Sequence, residues 1–532
     1  MAKADDGADF LVASIHIGTT YSGYAFGMKR ELTKDPTKVY CPSWDVLDGP
    51  SSCKTSTTIL LDENRKFVAF GYEAEEQYAK LADENEHKDY YYFHRFKMIL
   101  YEKVRTTGLN LNTTVLDIHN KELPAIEVFS HAIRFMKNHL FRNIERLRIF
   151  IEKEDIFWIL TIPAIWDSSG MQFMTKVADM VNIDSSKLKI RSEPEAVSMW
   201  CTHLPFEKLH GSKEKISHFE EGSRFLVLDA GGGTIDIFVL EVKAGGKLRE
   251  LERASWRDWG GTSVDEAFKK MFCDILGGEE ELEKYFNRYP DEYLMLNRIF
   301  EIKKRNAELF SKKRRVHMSI PIGFWDTFPD IEFRTSQSIY NDSLQWKAHK
   351  LRIDTRTLEE CFKPACEGVI GHINEVLQLP NVRGIQSILM VGGFSDSPTL
   401  QNAIKKTFSN FNILIPEDPS LAVLKGAVLL HDKEIYSTEG FFGIESKRFE
   451  SDDTILLQII PHKLNSNHRE VNNVGLSVSL FKSKNKNSTC LENSDSKYMG
   501  NVSVPAHDIK PANNTEFKIT VVQGGKELKN CE

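Results

Sequence analysis

Asp229 closes the apolar run FLVL and is followed by Ala230, Gly231, Gly232, Gly233 and Thr234. A carboxylate at the mouth of a buried strand can hold Mg²⁺ through its waters or orient an attacking water. The glycines after it present successive backbone N–H groups with no Cβ in the way, and such rows of amides bind phosphate oxygens. Thr234 adds a hydroxyl. An earlier stretch, ASIHIGTTYSGYAF at 13–26, repeats the plan with Gly18, Thr19 and Thr20 at its turn. There the strand ends on His16, an imidazole in place of the carboxylate. One such turn is an ordinary tight hairpin. Two in matching positions suit a nucleotide clamped between two halves of a duplicated chain. No GxxxxGK[ST] stretch occurs, so the site is not of the Walker type.

Three further groups fit the same chemistry. Glu193 in RSEPEA stands where a strand runs into a helix, a place suited to positioning a metal-bound water or to favouring the helix dipole. Gly260 and Gly261 open a helix, which suits close approach of a phosphate or ribose. Glu301, Lys304 and Arg305 in FEIKKR lie three or four residues apart, on one helical face. Alone they make an ion-pair stripe; within a lobe they make a base or ribose clamp.

An α/β pattern follows each hairpin. TSTTILL and KFVAFG alternate as strands, and 72–102 reads as a long helical segment. IEVFSHAIRFMKNHLF is an amphipathic helix, and IFWILTIPAIW a buried strand that stops at Pro163. After the second hairpin come a third strand, ELERASW, and a glycine turn into the helix GTSVDEAFKKMF. Helices fill 279–311 and a strand-rich insertion spans about 315–355. SILMVGGFSDSPTL is a strand, a double glycine and a helix capped by Ser397 with Pro398 in its first turn. The apolar helix PSLAVLKGAVLL closes the half. Short alternating strands, DTILLQII, VGLSVSLF, GNVSVPA and EFKITVV, follow. The expected layout is a lobe at 10–222, a lobe at 223–435 and a small β-rich C-terminal region at 437–532.

The net charge of −7 over 532 residues argues against a nucleic-acid surface. The basic runs at 303–305 and 312–315 are exceptions, and the second reads as a solvated edge or loop rather than a targeting signal. No stretch approaches the roughly 20 apolar residues of a membrane span. The acidic start of the sequence lacks the apolar run of a secretory signal. Eight scattered cysteines without a CxxC suggest reduced thiols and a cytoplasmic protein.

The motifs IHIGTTYSGYAFG, LTIPAIWDSS, RSEPEAVSMW, LVLDAGGGTIDIFVL, WGGTSVDEAF and ILMVGGFSDSPTL resemble, in order, those of the DnaK-type seventy-kilodalton heat-shock proteins, members of the actin-like ATPase superfamily. GTTYSGYAF and YYYFHRFKMIL look most like the divergent branch called heat shock 70 kDa protein 12. The resemblance covers residues 10 to about 435. It implies a duplicated ribonuclease H-like fold, ATP or ADP with Mg²⁺, protein partners or clients, and a part in stress response. Gly18, Thr19, Thr20 and Tyr21 would meet the nucleotide from one lobe, and Gly231, Gly232, Gly233 and Thr234 from the other. Lys97 would be the catalytic lysine, Glu193 the water-positioning glutamate, and Asp229 the aspartate near the metal. Glu301, Lys304 and Arg305 would clamp the adenosine with Gly392 and Gly393 beneath it, and Pro163 would act as an interlobe switch.

The departures from this pattern matter as much. His16 stands where the family has its first metal-site aspartate, which favours holding nucleotide over cleaving it. Met171, Asp396 and Ser420 replace an arginine, an arginine and an aspartate. No family-type linker or full peptide-binding sandwich follows 435. The expectation is therefore an ATP-binding relative with weak or absent hydrolysis. An active ATPase chaperone is the alternative, and a carbohydrate kinase of the same superfamily a more distant one.

Overall fold

The computed structural model describes residues 10–44, 52–98, 100, 109–163, 165–166, 168–203, 209–210, 220–244, 247–256, 259–305 and 315–431, with the strands at 454–461, 476–483, 496–504, 522–523 and 526–527. The basic run at 312–314 lies outside the described residues.

Residues 1–440 form one compact unit around two mixed sheets. In the first, the order is Leu188–Ser192, Ile156–Ile162, Leu11–His16, Tyr21–Met28, Thr55–Ser56. In the second it is Leu209–His210, Asn412–Pro416, Ser387–Val391, Arg224–Ala230, Ile235–Val242, Leu248–Trp256. The hairpins occupy equivalent places. Leu11–His16 runs antiparallel to Tyr21–Met28 and parallel to Ile156–Ile162. Arg224–Ala230 likewise runs antiparallel to Ile235–Val242 and parallel to Ser387–Val391.

Alternation along these central strands sorts their side chains between two faces, because successive Cβ atoms point to opposite sides of a sheet. Leu11, Ala13 and Ile15 pack with apolar residues of the helices Ala125–Arg146 and Ser168–Met180. Leu226, Leu228 and Ala230 pack with those of Gly261–Leu276 and Thr355–Leu377. Val12, Phe225 and Val227 share a third core with the helices Glu193–His203 and Ala422–Leu429. That shared core joins the two sheets. The two helices approach so closely that a Cβ on Gly426 would collide with the Ala196 carbonyl oxygen, a contact only glycine permits.

The segment 72–102 is not one helix. Tyr72–Asp83 is helical, but Tyr91–His94 is a strand paired antiparallel with Thr58–Leu61. Its run of aromatic residues favours a pleated, half-buried surface. The insertion holds three antiparallel strands, Arg315–Ser319, Leu344–Lys347 and Lys350–Asp354, with two short helices, Ile322–Thr327 and Ile331–Ser336, between the first two. Ser397 precedes the helix Pro398–Thr407 as expected, yet its side chain makes no capping hydrogen bond.

Residues 441–532 form a second unit. Thr454–Pro461, Leu476–Ser483 and Ser496–Val504 make an antiparallel sheet, and Val522–Gln523 pairs with Lys526–Glu527. Most of EFKITVV lies outside the described residues.

Candidate functional site

The two sheets deliver their strand ends to one cavity of about 350 Å³. His16, Gly18, Thr19, Thr20 and Tyr21 line it from the first hairpin, and Asp229, Gly231, Gly232 and Thr234 from the second. The hairpins meet tip to tip. A Cβ on Gly232 would collide with Thr20 Oγ1, and one on Gly233 would come 2.7 Å from Thr19 Cγ2. The first tip is braced by Thr57, whose Oγ1 donates to the Gly18 carbonyl at 2.9 Å and whose N–H donates to the Thr20 carbonyl at 2.9 Å. Thr20 Oγ1 is buried between the tips without a hydrogen-bond partner. Such a group is costly unless something else meets it.

His16 is buried, and its Nδ1 lies 3.0 Å from Thr161 Oγ1 on the parallel neighbour strand. Glu193 Oε1 is 3.6 Å from the same nitrogen. The two do not form an ion pair, because burial and then Lys54 and Lys97 hold the imidazole well below its usual pKa. His16 is neutral. Glu193 instead accepts from Lys97 Nζ at 2.7 Å, with both side chains buried. Lys97 reaches this point through a left-handed turn at Arg95, φ 54°, just after the strand Tyr91–His94.

Asp229 faces Asp236 across the ladder of the second hairpin, and both line the cavity. Burial, followed by repulsion from Asp236 and Glu193, pushes the Asp229 carboxyl up to about 8. Gly392, φ 86°, lies directly beneath; a Cβ there would collide with Asp229 Oδ1 and the Ala230 carbonyl. Gly393 and Pro163 also line the cavity.

Gly260 and Gly261 open the helix Gly261–Leu276, with Gly260 at its N-cap. A Cβ on Gly260 would sit 2.5 Å from the Gly232 oxygen, and Gly260 does not line the cavity. The Gly261 and Thr262 N–H groups donate to the Gly231 and Gly232 carbonyls at 3.1 and 2.7 Å. Two of the first amides of the helix are therefore spent holding the phosphate-type turn in shape. Gly261 itself reaches the cavity. Gly233, packed on Thr19 and Met98, does not line it.

Glu301, Lys304 and Arg305, on the helix Pro290–Arg305, also line the cavity. Lys304 Nζ is 2.5 Å from both Glu301 Oε2 and Asp265 Oδ1. Burial alone would raise the Glu301 carboxyl, but Lys304 and Arg305 hold it below its ordinary value. The Arg305 guanidinium lies over the Tyr21 ring at 4.1 Å, and Arg95 Nη2 bonds Asp265 Oδ2 at 2.8 Å. Both contacts span the two halves.

Sequence reasoning missed Lys54 and Asp236. Asp236 had a signal: seven residues after Asp229 around a hairpin turn, it returns to the facing position. Lys54 had none beyond its place before TSTTILL. It lines the cavity with Asp229 and Glu193, whose charges act on its ammonium through space, yet burial outweighs them and lowers it to about 8.

The donor set suits a divalent ion poorly. Mg²⁺ takes oxygen ligands and keeps its waters. Here a neutral imidazole stands at one strand end, Glu193 is engaged by Lys97, and three lysine ammonium groups, of Lys54, Lys97 and Lys304, line the cavity. Among the described residues no cluster of three or more His, Cys, Asp or Glu side chains is disposed to hold a metal. Besides Glu193, the carboxylates of Asp229, Asp236 and Asp396 line the cavity. Also among the described residues, no helix is long and apolar enough to cross a membrane.

No family model matches the chain. It is 31% identical over 486 residues to human heat shock 70 kDa protein 12B, covering 80% of this chain and 69% of that protein. Mouse heat shock 70 kDa protein 12A is 30% identical over 475 residues, 79% of this chain and 69% of its own. Chaperone protein DnaK of Cenarchaeum symbiosum is 27% identical over 276 residues, 51% of this chain and 36% of its own.

Proposed function

The chain belongs to the heat shock 70 kDa protein 12 family, with the two-lobe actin-like ATPase fold, and on that premise we propose that its cleft holds ATP or ADP with weak or absent hydrolysis. The lobes run 10–222 and 223–435, each a ribonuclease H-like repeat, with 437–532 a separate β-rich region; the matching order of the central strands supports two repeats, while Leu209–His210 pairs into the second sheet. The observation that carries the reading is the meeting of the two glycine-threonine turns over one cavity, with an unpartnered hydroxyl, Thr20 Oγ1, between them. Backbone amides of both turns take the phosphates. Tyr21 and the Glu301–Lys304–Arg305 face take the adenosine, where a guanidinium already stacked on an aromatic ring offers a flat surface to a base.

Hydrolysis is slow because the first strand ends on a neutral imidazole, which neither collects water for a metal nor supplies charge. Nucleotide state is read out by protein partners through the two lobes, in a cytoplasmic, stress-linked, chaperone-like role; the free cysteines among the described residues accord with a reducing compartment. The buried Lys97–Glu193 pair favours the second reading, an active ATPase, because it keeps a cation and a water-positioning carboxylate together. Two measurements decide. Millimolar ADP or ATP is expected to raise the melting temperature of the protein; no shift removes both readings. Single-turnover hydrolysis of labelled ATP is expected to be barely above background, and robust turnover abolished by Asp229→Asn would favour the second.

A further inference from the structure

We propose that Lys54 is the resident cation of the phosphate site, so that this cleft binds nucleotide diphosphate or triphosphate without a divalent metal ion. The inference rests on the nucleotide reading above and concerns how the phosphate charge is balanced.

The placement of Lys54 is set by the first hairpin. Its residue precedes the edge strand Thr55–Ser56, which pairs with Tyr21 and Ser22. Its stem crosses the hairpin at Gly23, where an added Cβ would lie 3.3 Å from Lys54 Cγ and 3.1 Å from the Cys53 carbonyl oxygen. Gly23 is the ladder partner of His16. The missing side chain at 23 thus makes room for the lysine beside the imidazole, and Lys54 lines the same cavity as Gly18, Thr19 and Asp229.

Other lysines near the cavity are committed. Lys97 pairs with Glu193, Lys304 with Asp265 and Glu301, and Lys425 with Asp418. Lys54 makes no such pair among the described residues; its nearest carboxylates act on it only through space. An ammonium held in a partly buried cavity without an ion pair is poised for an anion.

The charge count points the same way. A carboxylate at position 16 would need a cation before a phosphate could approach. Neutral His16 removes one negative charge and Lys54 adds one positive. Together they shift the cavity by two units, the charge of the divalent ion for which the donor set is poor.

The test is isothermal titration of the full chain with ADP and with adenosine, each in EDTA and in Mg²⁺, for the parent, Lys54→Met and Lys54→Arg. The parent is expected to bind ADP within about threefold in the two conditions, and Lys54→Met to lose about tenfold or more in EDTA, the scale of one charge-assisted contact. Lys54→Arg should keep most of the affinity, and adenosine binding should not change in any of them. A parent that needs Mg²⁺ for ADP overturns the proposal while the nucleotide reading stands. So does a Lys54→Met protein that binds ADP in EDTA as tightly as the parent. A parent that binds neither ADP nor adenosine removes the nucleotide reading and this inference with it. An unliganded melting temperature for Lys54→Met close to that of the parent separates loss of charge from loss of fold; if that variant does not fold, Lys54→Gln takes its place.

Discussion

The two hairpins are built alike and end differently. Each central strand has its own antiparallel partner on one side and a parallel strand on the other, and each sends a polar side chain into the cavity at its C-terminal end, His16 in the first and Asp229 in the second. In the first, His16 rests on Thr161 of the neighbouring strand. In the second, Asp229 faces a second acid, Asp236. Burial acts on both, but on opposite charge states: it keeps the imidazole neutral and drives the carboxyl toward its protonated form. Sheet geometry therefore decides where the strand-end group goes, and residue type decides what it can do there.

The most severe way to break the comparison is to separate the tips. Gly232→Arg puts a side chain into Thr20, where even a Cβ does not fit. We expect nucleotide affinity to fall by about 100-fold or more, near 3 kcal/mol, and the nucleotide-induced rise in melting temperature to vanish. A variant that still shows the full shift would mean that the tips do not grip the ligand.

The opposite charge preferences give a pH test of intermediate size. Asp229 has a folded-state pKa raised to about 8, above the roughly 3.9 of an unfolded chain. Its contribution is fully present below about 4 and is lost as pH rises through 8. His16 is lowered below about 6.5, so its contribution is present above that value and is lost as pH falls. In urea unfolding with EDTA, Asp229→Asn should flatten the decline between pH 5 and 8 by about 2 kcal/mol. His16→Gln should instead soften the loss on the acid side. The same sign for both variants would contradict the comparison.

The hairpins were legible because their signals are local: an apolar run, a polar strand end, a glycine turn, a second apolar run. Asp229 and Glu193 were legible for the same reason, each lying at a boundary between elements. Lys54 was not. It enters the cavity because a two-residue edge strand pairs with Tyr21 and Ser22 more than thirty positions away in the chain, and no spacing encodes that pairing. The packing of Gly260 on Gly232 was not legible for a related reason. A glycine before a helix serves a ligand or a neighbouring backbone equally well in sequence, and here the neighbour is the Gly232 carbonyl. Tyr91–His94 went to a strand because Thr58–Leu61 was available to pair with it, a fact held elsewhere in the chain.

Restoring the acid in the first copy sharpens the contrast. His16→Asp places a carboxylate within reach of Thr161 and beside Lys54 and Lys97. We expect single-turnover ATP hydrolysis in Mg²⁺ to rise by about tenfold, near 1.4 kcal/mol in barrier, and to become metal-dependent. An unchanged rate would move the cause of slow turnover away from position 16.

The smallest difference lies two residues before His16 and two before Asp229, on the face turned to the shared core. Ser14 stands there in the first copy and Val227 in the second. Val227 simply packs. Ser14 Oγ donates to the Leu424 carbonyl at 2.8 Å, and both groups are buried. That oxygen belongs to the helix Ala422–Leu429, so the serine fastens the first sheet to the helix that also covers the second. Ser14→Ala should cost about 1 kcal/mol in urea unfolding, the net worth of a buried hydrogen bond. Nucleotide affinity should stay within about twofold, because the bond lies behind the cavity and helix and sheet stay packed without it. A large loss of affinity would mean instead that this tie sets how the two strand ends face each other.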